Sequence, residues 1–160
     1  MATLKIDIIA VGKLKERFWM DACNEYLKRL APFASVNVKE VDDVSPDKAG
    51  TREKALELEE VGIRKKLTSN SFVVLLDQQG REHSSEQIAE LVKTRLIESS
   101  IHHITFVIGG SDGLASSLLK EADERLSFGP ITLPHNLARV VLLEQLYRAF
   151  KIIRNEPYHK

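Results

Sequence analysis

The side chains best equipped for chemistry in this chain gather over its last 27 residues, Pro134 through Lys160. An apolar helical pattern carries Arg139, Glu144, Gln145, Arg148 and Arg154, and Pro157 stops it. Tyr158, His159 and Lys160 follow: a phenol that donates and accepts, an imidazole that titrates near neutrality and a point positive charge. Chain ends are usually frayed and dispensable, so this ending reads as part of an active site. Residues 135–160 carry a net charge of +3, whereas residues 39–60 carry −4. A locally basic end can hold phosphate without a basic pI, although solvated helix faces give the same imbalance. Arg139, Arg148 and Arg154 are accordingly either phosphate binders or structural ion-pair partners.

Two loops add to the candidates. Ile108-Gly109-Gly110-Ser111-Asp112-Gly113 follows an apolar run, and Leu76-Asp77-Gln78-Gln79-Gly80 follows another. In open α/β sheets ligands bind at the carboxyl ends of strands, where glycines let backbone approach them; three glycines also make a plain tight turn. A third segment, Leu126–His135 (LSFGPITLPH), is too apolar for an ordinary surface link. It lines a pocket or interface, or it is a buried edge strand. Gly12-Lys13 lacks the first glycine and the Ser/Thr of a phosphate loop. There is no GxGxxG or HExxH, and the single cysteine, Cys23, excludes an internal disulfide and a cysteine-clustered zinc site. His102-His103 reads as a surface pair, and no metal site is expected.

The elements that must position these groups alternate between strand and helix. Leu4–Val11, Val36–Val41, Phe72–Leu76 and Ile104–Ile108 are strand-like, with Val36–Val41 at an edge and Phe72–Leu76 a central strand buried on both faces. Ile131–Leu133 reads as a last short strand, and Asp77–Arg81 as a turn. Helical spacing covers Glu16–Leu30, Thr51–Leu67, a stretch from Ser84 or Ser85 to about Ile97, a short helix through Glu121, and Asn136–Arg154. Asp42–Gly50, acidic and containing Pro46, is expected to be a mobile loop. The pattern is that of one α/β domain over residues 1–160, with a mostly parallel sheet layered by helices. With 43% apolar and 29% charged residues and zero net charge, the composition is that of an ordinary soluble globule. No signal peptide or membrane span is evident, so a cytoplasmic location without membrane contact is expected. The last helix is apolar nearly all round, which predicts burial on several sides, including against a second copy of the chain.

The segments AVGKLKERFW, LLDQQG, FVIGGSDGL and LSFGPITLPHNLARVVLLEQLYRAFKIIRNEPYHK, in this order and spacing, resemble the RlmH family. These are ribosomal large-subunit pseudouridine N3-methyltransferases of the SPOUT class, with a C-terminal trefoil knot. The resemblance covers essentially the whole chain and is weakest over Asp42–Gly50. It implies S-adenosylmethionine (SAM) bound in the knot by three loops, at Leu76, Gly109 and the run Phe128, Gly129, Pro130, Ile131, Thr132 and Leu133. It further implies a homodimer with the knot helices at the interface, and methylation of a pseudouridine in helix 69 of 23S rRNA on the assembled ribosome. For that reaction His135, Tyr158 and His159 are the candidate proton handlers, and Arg139 and Lys160 the candidates for stabilising phosphate or an imidate anion. The competing readings are a non-catalytic ribosome-binding factor and a methyltransferase of the same class acting on tRNA.

Overall fold

β1 (Lys5–Val11) shows why the sheet forms where it does. Every residue after Lys5 is buried, with Ile6, Ile8 and Ala10 packed into one core and Ile9 and Val11 into another. A run apolar on both alternating faces needs cover on both sides, and helices supply it. The computed structural model describes residues 3–160. The remaining elements are α1 (Arg17–Leu30), β2 (Ser35–Val41), α2 (Pro46–Ala49), α3 (Arg52–Lys66), β3 (Phe72–Glu82), α4 (Ser85–Val92), β4 (His103–Ile108), α5 (Ser116–Glu121), β5 (Glu124–Ser127) and α6 (His135–Ile153). A π turn over Lys93–Ile97 extends α4 to the end expected from the sequence. The sheet order is β2-β1-β4-β3-β5 and every pair is parallel. All carboxyl ends therefore open on one edge, which is where the glycine-rich loops sit.

Helices α1, α4 and α6 cover one face of the sheet through Cys23, Leu30, Ile88, Val92, Leu142, Leu146 and Phe150. Helices α3 and α5 cover the other through Ile63 and Leu118. Each large apolar side chain fully buried this way contributes roughly 1.5–3 kcal/mol. The helix starts are locally encoded. Ser84 and Gln87 form a reciprocal capping box, and the Thr51 hydroxyl accepts the Lys54 amide at 3.1 Å.

Several expectations are corrected. The last strand is Glu124–Ser127 and not Ile131–Leu133. Asp123 starts it by accepting the Val73 amide on its carboxylate at 2.8 Å and donating its own amide to the Val73 carbonyl. Gly129, at φ +106°, and the flanking prolines then keep the following segment off the ladder. Asp77–Arg81 is not a simple turn. Strand β3 runs on to Glu82, and Leu126 pairs with both Leu76 and Arg81, so residues 77–80 bulge outward between them. Gly80 is required there, since a Cβ would meet the Arg125 carbonyl oxygen at 2.6 Å.

The central strand is β4; β3 lies one place from the edge, with Phe72, Val73 and Leu76 only half-buried. Asp42–Gly50 is not a free loop. Ser45 caps the short α2, and the Val44 amide donates to Glu59 at 2.8 Å. His103 is not a surface residue. Its Nε2 donates to buried Asp7 at 2.9 Å, and Lys39 reaches the same carboxylate oxygen at 3.1 Å. Cys23 is fully buried. The apolar breadth of α6 is met largely within the chain: Leu142, Leu143, Leu146, Ala149 and Phe150 are buried, and no large apolar side chain of α6 is exposed among the described residues.

Candidate functional site

The carboxyl ends of β3, β4 and β5 frame a cleft of about 740 Å³, within the range of small-molecule sites. Leu76, Ile108, Leu126, Phe128 and Leu133 supply its apolar wall. Backbone of Gly109–Gly113 and the polar groups of Asp77, Gln78 and Thr132 supply the rest. Of the residues expected to hold a cofactor, Leu76, Gly109, Phe128, Gly129, Ile131, Thr132 and Leu133 line this cleft, and so does His135. Pro130 does not line it; its carbonyl instead accepts a hydrogen bond from Gln78 Nε2 at 3.0 Å.

The loops are stitched to one another. Gln78 Nε2 also reaches Thr132 Oγ1 at 3.3 Å, Ser127 Oγ donates to the Gln78 carbonyl at 3.0 Å, and the Gly129 amide donates to Ser127 Oγ at 3.0 Å. Arg125 pairs with Asp77 at the rim. The glycine loop folds back through a Gly113 amide to Gly110 carbonyl bond of 3.1 Å, so tightly that a Cβ on Gly109 would collide with the Gly113 carbonyl. Arg52, from the start of α3, pairs with Asp112 at 3.3 Å and fixes that loop from outside.

His135 opens α6 on the wall between this cleft and a smaller one of about 270 Å³. The smaller cleft is lined by Gly12, Asp43, Ser45, Pro46, Glu59, Gly110, Ser111 and Asp112. The α6 start has no side-chain cap and no acidic residue in its first turn. Its free amides therefore leave partial positive charge at the wall shared by the two clefts.

Arg139 stands one turn further on and is buried. Its Nη1 donates to Glu40 at 2.9 Å and its Nη2 to the Gly12 carbonyl at 3.2 Å. The guanidinium ties β1, β2 and α6 together behind the cleft and does not line either cavity.

The terminal triplet lies far along α6. Tyr158 packs edge-on against Tyr147 with ring centroids 4.9 Å apart, and the Arg148 guanidinium lies 4.8 Å over its ring. Tyr147 is roughly 18 Å along the helix axis from His135. His159 bridges Arg148 at 3.1 Å and Glu86 at 2.7 Å. Arginine only donates, so His159 Nδ1 is the acceptor and its Nε2–H donates to Glu86. Burial, with Glu144 nearby, pushes the Tyr158 phenol up, so it is a hydrogen-bond donor at neutral pH. Glu144 also pairs with Arg148 at 2.9 Å, one turn along the same helix, which makes Arg148 a structural ion-pair partner. Lys160 is exposed. His135 and the tail thus mark opposite parts of the chain's fold.

Sequence reasoning missed Gln78 and Arg125 as stitching residues, and it missed the smaller cleft with Glu59. Burial with one backbone partner distinguishes Glu59 from the seven other acids of residues 39–60, and no spacing signal encodes that. Among the described residues no helix is long and apolar enough to cross a membrane, and no cluster of three or more His, Cys, Asp or Glu could hold a metal.

A five-stranded parallel sheet with its cleft at the carboxyl edge, closed by a C-terminal helix, defines an α/β ligand-binding class. The family model described as "Predicted SPOUT methyltransferase" matches residues 4–159, and the chain belongs to that family. Ribosomal RNA large subunit methyltransferase H of Carboxydothermus hydrogenoformans is 48% identical over 163 residues, spanning 98% of this chain and 100% of that protein. Its counterpart in Natranaerobius thermophilus is 45% identical, spanning 98% and 99%. Among solved structures, a probable methyltransferase from Bordetella pertussis superposes with a TM-score of 0.57 at 11% identity, covering 92% of this chain and 94% of that one. A probable methylase family protein from Haemophilus influenzae gives 0.52 at 18% identity, covering 97% and 69%. These two likenesses concern the fold alone.

Proposed function

We propose that this chain is a SAM-dependent methyltransferase of large-subunit ribosomal RNA, acting as a cytoplasmic homodimer on N3 of a pseudouridine in helix 69 of the assembled ribosome. The observation that carries the reading is the main cleft. Its walls are the three loops that the family resemblance assigns to the cofactor, and near-full-length relatives at 45–48% identity bear the rRNA methyltransferase name. The residues present fit SAM: an apolar wall suits an adenine ring, and backbone amides with Gln78 and Thr132 suit its polar groups. The knotted threading of the C-terminal segment belongs to the same reading.

SAM, when bound, supplies a methyl group on a sulfonium leaving group. The protein must orient the target nitrogen, exclude water and handle one proton. The N3 proton has to leave before or as the methyl arrives. His135, which lines both clefts, serves as the acceptor, and the uncapped start of α6 favours the imidate anion left behind. General-base help of this kind typically accelerates a reaction about 10²–10⁴-fold. Arg139 is a positioning residue that holds Gly12 and the first turns of α6 in place.

Tyr158, His159 and Lys160 act on the partner's cleft. Their distance from their own His135 exceeds the roughly 10 Å that three residues beyond Pro157 can span, so a second subunit is needed for tail and cleft to meet. The test is transfer of radiolabelled methyl from SAM to ribosomes lacking the modification, beside naked rRNA and tRNA. Label at N3 of pseudouridine on ribosomes alone is expected; label on tRNA, or none anywhere with SAM bound, overturns the reading.

A further inference from the structure

The smaller cleft is not explained by cofactor binding. It shares Gly110, Ser111, Asp112 and His135 with the main cleft, so an object seated in it touches the site where methyl is delivered. Its far wall holds Glu59, 7% exposed. One carboxylate oxygen, Oε2, accepts the Val44 amide; the other, Oε1, has no protein partner among the described residues. Asp112 on the near wall is already paired with Arg52. That oxygen is not among the enclosed polar atoms that lack a partner, so it opens on the cleft, where a bound ligand can donate to it, and burial of the residue pushes the Glu59 carboxyl up. The cleft volume, about 270 Å³, suits one nucleoside and not an extended strand.

We propose that this cleft receives the flipped target base and that Glu59 Oε1 accepts the N1–H of pseudouridine, making Glu59 the residue that distinguishes pseudouridine from uridine. The proposal rests on the rRNA reading above. Enzymes that modify a base extrude it into a fitted pocket and read its edges by hydrogen bonds. Pseudouracil has two ring N–H groups because its ribose is attached through carbon; uracil in RNA has only N3–H. With N3 turned to the shared wall, where His135 and the α6 amides lie, the N1 edge faces away from that wall, toward Glu59. A uridine in the same pose displaces water from that oxygen and offers no donor in its place, the situation in which sites discriminate most strongly.

The test is Glu59→Gln. The glutamine carbonyl keeps the Val44 bond while its amide turns a donor toward the N1–H, and loss of a buried charge favours folding at neutral pH. Ribosomes carrying pseudouridine or uridine at the target position are compared as substrates, with SAM binding measured separately by calorimetry. The expected result is a pseudouridine-to-uridine kcat/KM ratio lowered roughly 10- to 100-fold, with SAM affinity unchanged. An unchanged ratio overturns the proposal while leaving the methyltransferase reading intact; absence of ribosome methylation by the wild type overturns that reading itself. Wild-type protein gives a check independent of any variant. Pseudouridine nucleoside is expected to shift the NMR amide signals of Val44, Ser45 and Gly110–Gly113, with uridine and 1-methylpseudouridine far weaker. Equal responses from the three, or none from pseudouridine, overturn the assignment.

Discussion

Replacing Glu40 with alanine strands the Arg139 guanidinium, and the size of the effect follows from an asymmetry in exposure. The Arg139 side chain is 4% exposed and that of Glu40 36%. Without Glu40, Arg139 keeps only the Gly12 carbonyl at 3.2 Å, and its Nε is already without a partner. Breaking a buried ion pair from the exposed side, so that the charge left behind is the buried one, costs about 3–5 kcal/mol. The partial hydration of Glu40 places this pair near the lower end, about 3 kcal/mol. For a domain of this size each kcal/mol lowers the melting temperature by roughly 2–4 °C, so Glu40→Ala is expected to melt about 6–12 °C below the wild type. Arg139→Met removes the buried charge instead and frees Glu40 to hydrate. Its expected cost is about 1 kcal/mol, despite Arg139 being by far the more buried partner. Thermal and urea unfolding followed by circular dichroism measure both. A Glu40→Ala melting point within about 2 °C of the wild type, or an Arg139→Met variant less stable than Glu40→Ala, refutes the structural account of this arginine.

Phe150→Arg tests the core and not an interface: Phe150 is 2% exposed and stacks on Phe33 at 5.2 Å, so the variant is expected to be unfolded by circular dichroism, and a folded monomer would contradict the packing described. Deleting Tyr158–Lys160 loses the Tyr158–Tyr147 contact, worth about 0.5–1.5 kcal/mol; the truncated protein is expected to fold and bind SAM but transfer no methyl, and wild-type turnover would remove the tail from the mechanism. Co-expressing that deletion with Gly109→Val, which blocks the cleft, is expected to restore activity through mixed dimers; no recovery on confirmed mixed dimers argues against action in trans. The Lys151 ammonium, 2.6 Å from Glu156, holds that carboxyl below its ordinary value. A depressed carboxylate stabilises above the ordinary Glu range and stops doing so as pH falls through its folded value. Lys151→Met should therefore move the Glu156 NMR titration up toward 4.5, and an unmoved midpoint would show that the pair is not formed in solution.

The residue alphabet determined a good deal without any coordinates. Runs such as IDIIAV and ITFVI, apolar on both alternating faces, allow only parallel strands sandwiched by helices, and Ser84 with Gln87 writes its helix start locally. The three loops around the main cleft were legible because glycines and an apolar, proline-bracketed segment fall at strand ends. Other features depended on residues distant in sequence. Strand β5 exists because Asp123 meets Val73 fifty residues away, and no propensity in Glu124–Ser127 announces it. His103 is shielded because Asp7 approaches it across 96 residues. Arg139 reads as a free cation until Glu40 and Gly12 are found around it. Glu59 reads as one acid among many until Val44 takes one of its oxygens and a cleft exposes the other. Periodicity reports which face of an element is buried, whereas the partner of a charge and the shape of a cavity arise only when separate elements close around them. Strands β1, β2 and β4 and the glycine loop after β4 were therefore legible in the sequence alone, whereas tertiary packing decided where β3 ends, that β5 forms, and which polar groups became structural and which stayed open to the clefts.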